Sequence, residues 1–582
     1  MTRGPRLPHL TAALVALGVV STLAVGAPAT AHPGHEHSPA QGPVVASPED
    51  YTPGLGVVAE TTYTVDLDDR TINVDLVVRL TNQIRDRVRD GYVEQQYFHT
   101  FTVPVLAGAE QVRASRDGGG ALRVQVRPGD SDFYGLAEIS LSPHLYHGRP
   151  QTVRLSYQIP PQPPRSGTLT QVNEAFATFP VFVSGDPGQA SVTVRLPAHL
   201  EVDVVGDDMG STTADGMAVY TATDIADPAE WFASVVARDD DALIDQTVTF
   251  GEHLVRLQAW PGDDEWLEFT ADLAERGLPV LEDAIGVAWA EPRELTIVET
   301  SAPYVYGYGG WYEHSRSLIE IGDLLDAHVT LHEMAHAWFN AELFQGRWVN
   351  EAMAEVFAAH TMDELGLDAP APDPVDPEAP GALPLNSWAN VDLENPETEE
   401  QEAYGYNTSW WVMDTIVDEV GVAGVSQVVQ AAAERRSAYP AATTDSTWDQ
   451  VADWRVLLDH LQDTAGSARA EELFRALVAT DEQAADMDAR AEARATYTEL
   501  ADAADGWALP EAVRAPMTRW EFDQASETFP ELTELVRTRA SVVDQLTAAR
   551  IPVPDALQER FEGAGDLADL RAGLRAADDA SR

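Results

Sequence analysis

Between Thr62 and Ala237 apolar residues recur at every second position, and beyond Asp264 they recur at every third and fourth. A chain that changes period in this way cannot fold as a single kind of layer. Ile72, Val74, Leu76, Val78 and Leu80 alternate with mostly polar partners, as do Val153, Leu155, Tyr157 and Ile159, or Val192, Val194 and Leu196. Breaks such as Gly118-Gly119-Gly120 and Pro160-Pro161-Gln162-Pro163-Pro164 separate the runs, so 61–240 is expected to form an antiparallel β-sandwich. Next comes a mixed region over 241–440. Asp264 to Ile285 reads as a helix, Glu294 to Glu299 and Leu318 to Ile321 as short strands, and Ala327 to Phe339 as another helix. The Pro-rich stretch from Ala369 to Pro384 is expected to be a surface loop. Over 441–582, Ala, Glu, Arg and Leu at three-and-four spacing, as in Ala470 to Val478 and Glu531 to Ala548, predict an α-helical C-terminal domain. The fold class expected is multidomain α+β, since 582 residues exceed what one core supports.

The first 31 residues read as an address. Arg3 and Arg6 precede the apolar run Leu10 to Ala27, and Ala29-Thr30-Ala31 offers a small-residue cleavage site, the pattern of a secretory signal peptide. The product is therefore expected to be secreted, with cleavage near Ala31. No later stretch is apolar enough to span a bilayer, so no stable membrane insertion is expected after signal removal. Residues 32–60 form a flexible leader containing His32, His35 and His37. The chain has no Cys, which excludes a disulfide scaffold. Its 37 basic residues, all Arg, face 95 acidic ones, and a net charge of -58 repels phosphate backbones, so nucleic acid is not an expected partner.

The most informative segment is Leu331-His332-Glu333-Met334-Ala335-His336-Ala337-Trp338-Phe339. Helical positions four apart share a face, so His332 and His336 can aim ring nitrogens at one Zn(2+) ion while Glu333 projects toward water on that ion. Zinc lowers the pKa of a bound water from about 15.7 to about 7, and a neighbouring carboxylate can accept the proton as a carbonyl is attacked. With 15 His in the chain, a chance H-E-x-x-H is expected roughly 0.03 times, which makes the motif specific. A third ligand is needed. Trp348-Val349-Asn350-Glu351-Ala352-Met353-Ala354-Glu355 supplies two carboxylates four apart on one helical face. Either could bind the metal while the other holds a ligand histidine by its second ring nitrogen.

These two motifs together resemble the gluzincin metallopeptidases, most closely the aminopeptidase N family, with its H-E-x-x-H followed by W-L-N-E-G. The resemblance implies a thermolysin-like zinc catalytic domain, a peptide substrate and removal of N-terminal residues. Matching Asn350-Glu351-Ala352 residue by residue makes Glu351 the third ligand and Glu355 the partner of a ligand histidine. The family's usual longer connection, counted strictly, would instead reach Glu355. Tyr404-Gly405-Tyr406-Asn407-Thr408-Ser409 is similar to the family's Y-E-K-G-A segment, and Tyr406 stands at the usual distance before Gly421. That implies a phenol stabilising the developing oxyanion, with Tyr404 as the alternative. Gly309-Gly310-Trp311-Tyr312-Glu313 is similar to the G-A-M-E-N strand, with one residue too many counted from Gly309. Glu313 would then grip the substrate's free amino terminus, with Glu320 as the alternative. Two other readings compete with an aminopeptidase: a related endopeptidase, and a catalytically inactive zinc-binding surface protein, which the intact Glu333 opposes.

Overall fold

The computed structural model describes residues 30–32, 53–129, 133–162, 164–165, 170–289, 294–301, 308–388, 396–441 and 450–581. Almost all of the expected signal peptide and residues 33–52 of the expected leader lie outside the described residues, while the last part of the leader is not a flexible tail, because the strand Leu55–Asp66 begins within it.

The alternating runs form strands with the expected faces. In Thr71–Asn82 the residues Ile72, Val74, Leu76, Val78 and Leu80 are all buried, and the strand pairs antiparallel with Leu55–Asp66 on one side and Pro150–Ile159 on the other. These belong to an eight-stranded sheet, and its core is shared with a three-stranded and a four-stranded sheet in the same N-terminal region. One pairing departs from the antiparallel expectation. Ala190–Pro197 runs parallel to Leu55–Asp66, because the chain crosses into the four-stranded sheet at Phe176–Val181 before returning, and such a crossover brings a strand back in the same sense.

The following region is built on a six-stranded mixed sheet. Its strands run in the order Thr30–His32, Gly310–Glu313, Leu318–Ile321, Leu295–Glu299, His253–Ala259 and Ile244–Phe250. Against it packs the helix Asp264–Ile285, started by the Asp263 carboxylate on the Trp266 amide and ended by Gly286 at φ 72°. Gly277 of this helix packs against Leu331 of the next helix, Ala327–Ala335: a Cβ there would stand 2.5 Å from Leu331 Cδ2. A larger residue would have to displace the Leu331 side chain, one position from His332. The core of this region takes in Arg347–Leu365 and much of Pro396–Ala433 and continues through Val456 and Val478 to Met487. A separate helical core gathers Tyr439, Ala493 and residues onward to Leu574. The segment from Ala369 to Pro384 has no helix or strand. Among the described residues no helix is long and apolar enough to cross a membrane.

Candidate metal centre

Two helices meet at the centre. Ala327–Ala335 starts at Asp326, whose carboxylate accepts from the amides of His328 and Val329, and it stops one residue before His336, earlier than the expected Phe339. His336 keeps helical backbone angles as the cap, so the four-residue spacing still places it above His332. The second helix, Arg347–Leu365, begins at Gly346, where φ is 103°. Asn350 donates to the carbonyls of Phe344 and Gly346, and Trp348 is buried edge-on against Phe474 with its Nε1 on Asn386. The Trp and Asn of the second motif therefore fix the entry of this helix, which turns Glu351 and Glu355 toward the histidines.

His332, His336 and Glu351 each offer a ligand atom, all within 4.8 Å of one another and all fully buried. The two Nε2 atoms are 3.0 Å apart, and Glu351 Oε2 lies 3.3 Å from His332 Nε2 and 3.5 Å from His336 Nε2. Ligands about 2.0 to 2.2 Å from one tetrahedral ion stand roughly 3.3 to 3.5 Å apart, so two imidazoles and a carboxylate at these separations fit zinc. Both oxygens of Glu351 and of Glu333 are buried without a well-formed hydrogen bond, which marks a site needing a cation and a proton. His336 Nδ1 donates to the Phe339 carbonyl at 2.9 Å, leaving Nε2 as the acceptor that faces the cluster. His332 Nδ1 lies 3.7 Å from Glu355 Oε1, and the other Glu355 oxygen is 3.1 Å from His328 Nε2.

Electrostatics follow from this crowding. Burial would raise Glu351, yet His336 and His332 facing it hold it at about 2. Burial would lower His332, but Glu355 and Glu351 push it up to about 10. A bound metal would displace the proton that His332 then holds. Burial pushes Glu333 well above the usual carboxylate range, and Glu351 and Glu355 add to the rise. Glu333 lies against the strand Gly310–Glu313: a Cβ on Gly310 would stand 2.9 Å from Glu333 Cγ and 3.3 Å from its Oε1. Gly310 is thus the position at which the strand can approach the carboxylate.

Tyr406 is buried, and its hydroxyl accepts from Arg347 Nη2 at 3.1 Å. The same Arg347 reaches Glu351 with its Nε, 3.9 Å away. Tyr404 lies two positions earlier on the helix Pro396–Ala433, about 200° around the axis. Glu313 is not gathered into the cluster. Gly310 and Tyr312 face the zinc helix, with Tyr312 stacked on His336, so Glu313 projects from the opposite face, where Ser315 and Arg316 hold its carboxylate at 2.9 and 3.3 Å. Glu320 also lies away from the metal cluster, bound to Trp311 Nε1 and Arg238.

Three further residues at the site belong to none of the sequence motifs. His328 carries Glu355, Arg347 touches Tyr406 and Glu351, and Glu402 binds Arg347. Each sits four positions before a residue that was recognised, which is the signal that could have found it.

No protein-family model matches the chain. A curated relative, the alanine/arginine aminopeptidase of Saccharomyces cerevisiae, is 32% identical over 113 residues, which cover 17% of this chain and only 13% of that relative. Among solved structures, the M1 zinc metallopeptidase from Deinococcus radiodurans is 17% identical, over 73% of this chain and 94% of that one, at a TM-score of 0.27. A mutant of that enzyme bound to a Tyr-Ser-Ala substrate is 16% identical, with 73% of this chain and 94% of that one covered and a TM-score of 0.28. The likenesses are partial: to a curated aminopeptidase over a short stretch, and to M1 zinc metallopeptidases at low identity and low TM-score.

Proposed function

We propose that this protein is an exported zinc-dependent peptidase with a thermolysin-like catalytic unit that removes N-terminal residues from peptides. The observation that carries the reading is the convergence of His332, His336 and Glu351 beside the buried Glu333. Zinc, when bound by these three residues, would supply a Lewis acid and an acidified water. Glu333 would take the proton from the attacking water and return it to the leaving amine, a role suited to a carboxylate whose pKa burial has raised. Tyr406 would donate a hydrogen bond to the substrate oxygen as it becomes an oxyanion. Glu355 would orient His332. The strand Gly310–Glu313 suits an extended peptide, one that would take the place of the short segment Thr30–His32, which pairs antiparallel with it at the edge of the sheet. The curated yeast relative is named an aminopeptidase, in keeping with this activity.

One observation favours a second reading, an endopeptidase. Glu313, the residue that would grip a free amino terminus, projects from the face of its strand opposite Gly310 and Tyr312. Unblocked and N-acetylated versions of the same peptides, each with and without a chelator, separate the two. Cleavage of unblocked peptides alone, lost to the chelator and restored by zinc, is expected. Equal cleavage of acetylated peptides would establish the endopeptidase, and chelator-resistant cleavage would overturn both.

A further inference from the structure

We propose that Arg347, clamped by Glu402, is a positioning residue that orients the Tyr406 phenol toward the substrate oxygen on which negative charge develops. The proposal rests on the reading of Tyr406 as the oxyanion donor. Arg347 is the first residue of the ligand helix, and its side chain is only 8% exposed. Its two terminal nitrogens donate to the two oxygens of Glu402, both at 2.7 Å, which is the bidentate geometry that fixes a guanidinium in plane. Nη2 donates a second time, to the Tyr406 hydroxyl at 3.1 Å. A guanidinium has donors and no acceptor, so the phenol oxygen is the acceptor in this bond and its own hydrogen must be directed elsewhere. The clamp therefore decides which way the phenol donates.

The surroundings hold the same arrangement. Trp388 stands edge-on to the Tyr406 ring with centroids 4.9 Å apart, its Nε1 donates to Glu402 at 2.6 Å, and the Arg347 guanidinium lies 4.3 Å over its ring. The Tyr308 hydroxyl, two residues ahead of the strand Gly310–Glu313, donates to Glu402 at 3.3 Å. Glu402 thus ties together the lead into the strand Gly310–Glu313, the ligand helix and the phenol's helix. A staple alone is a poor explanation for a cation here. Arg347 Nε lies 3.9 Å from Glu351, where its charge draws on the same carboxylate that would hold the metal, and an apolar side chain of similar volume would pack without that competition.

The test is a double-mutant cycle on the full-length, zinc-loaded protein, combining Arg347→Met with Tyr406→Phe, with kcat and KM measured on an unblocked peptide. Zinc per chain by elemental analysis and calorimetric affinity for a phosphinic peptide, which mimics the tetrahedral intermediate, are read alongside. Tyr406→Phe is expected to lower kcat about 100- to 1000-fold. Arg347→Met should lower kcat about 10- to 100-fold and weaken the phosphinic peptide in proportion, with KM and zinc content little changed. The double variant should be no slower than Tyr406→Phe alone. Losses that multiply, or a loss from Arg347→Met that tracks lost zinc, would overturn the positioning role while leaving the Tyr406 reading intact. Near-normal turnover in Tyr406→Phe would instead bring down that reading and this proposal together. Glu402→Gln, which keeps the guanidinium and the side-chain volume, repeats the cycle should Arg347→Met fail to fold, and the same non-additivity with Tyr406→Phe is required of it.

Discussion

Two regions of this molecule bury charged groups completely, and they do so in opposite ways. Beside the separate helical core, Arg490 is 0% exposed, yet Asp459 accepts from its Nε at 2.8 Å, Gln462 and Glu471 take its other donors, and Trp520 Nε1 donates to the far oxygen of Asp459 at 2.9 Å. At the metal centre Glu333 and Glu351 are equally buried, but their oxygens lack well-formed hydrogen bonds. Burial of charge is common to both, so burial does not mark function. The difference is satisfaction. A closed network fixes one fold, whereas an open one keeps its lone pairs for something that is not part of the chain.

That contrast is sharpest for Glu333→Gln. It keeps the shape and removes the base, so hydrolysis should fall about 1000- to 10000-fold with zinc retained, and the thermal midpoint should hold or rise. Turnover near that of the parent protein would break the comparison at its functional end. The opposite pattern is expected for Arg490→Met, which strands Asp459 in the interior. Denaturant unfolding of the helical C-terminal region should show a loss of about 3 to 5 kcal/mol, with kcat per folded molecule unchanged. A variant that loses activity but not stability would mean the closed network is also functional.

Smaller effects sharpen the boundary between the two kinds of cluster. Glu355 holds His328 at 3.1 Å and lies 3.7 Å from His332, so Glu355→Gln should weaken zinc affinity or activity about 10- to 100-fold, whereas Glu351→Ala should abolish stable zinc retention. Zinc dissociation constants of the two variants check this, and a larger loss at Glu355 would reverse their roles. Glu299 lies between the extremes, because it accepts one hydrogen bond, from the Trp260 amide at 2.9 Å, and burial with Asp263 beside it raises its pKa to about 9. Its stabilising contribution is complete below the unfolded value of 4.5 and is lost as pH rises toward about 9, because the folded state keeps a proton that the unfolded state releases. Thermal melts of Glu299→Gln should match the parent protein near pH 4.5 and show added stability at pH 8, with a linkage ceiling of roughly 5 kcal/mol. Equal melting at both pH values would show that Glu299 is not held protonated.

Much of this was legible in the sequence because it depends on periodicity. The buried face of Thr71–Asn82, the helix Asp264–Ile285 and the strand Leu318–Ile321 were all visible as spacing of apolar residues. His332, Glu333 and His336 were visible because metal chemistry restricts both residue type and interval. The parallel return of Ala190–Pro197 was hidden, since pairing direction depends on a crossover that strand patterns do not encode. The face of Glu313 was hidden as well, because a short strand between a loop and a turn offers no pattern to set its register. His328, Arg347 and Glu402 were missed for another reason. Each sits one turn before a recognised residue but touches a partner on another helix, and an isolated His, Arg or Glu in an acidic chain has no signal until its partner's role is known.

The central claim is that the open cluster is a zinc site built from His332, His336 and Glu351. X-ray diffraction from crystals of the zinc-loaded protein, collected on both sides of the zinc absorption edge, tests it most directly. The account predicts one anomalous peak with both histidine Nε2 atoms about 2.0 to 2.1 Å away and a Glu351 oxygen about 2.0 to 2.2 Å away. A peak bound by Glu355 in place of Glu351, or a zinc ion held elsewhere with this cluster empty, would contradict it.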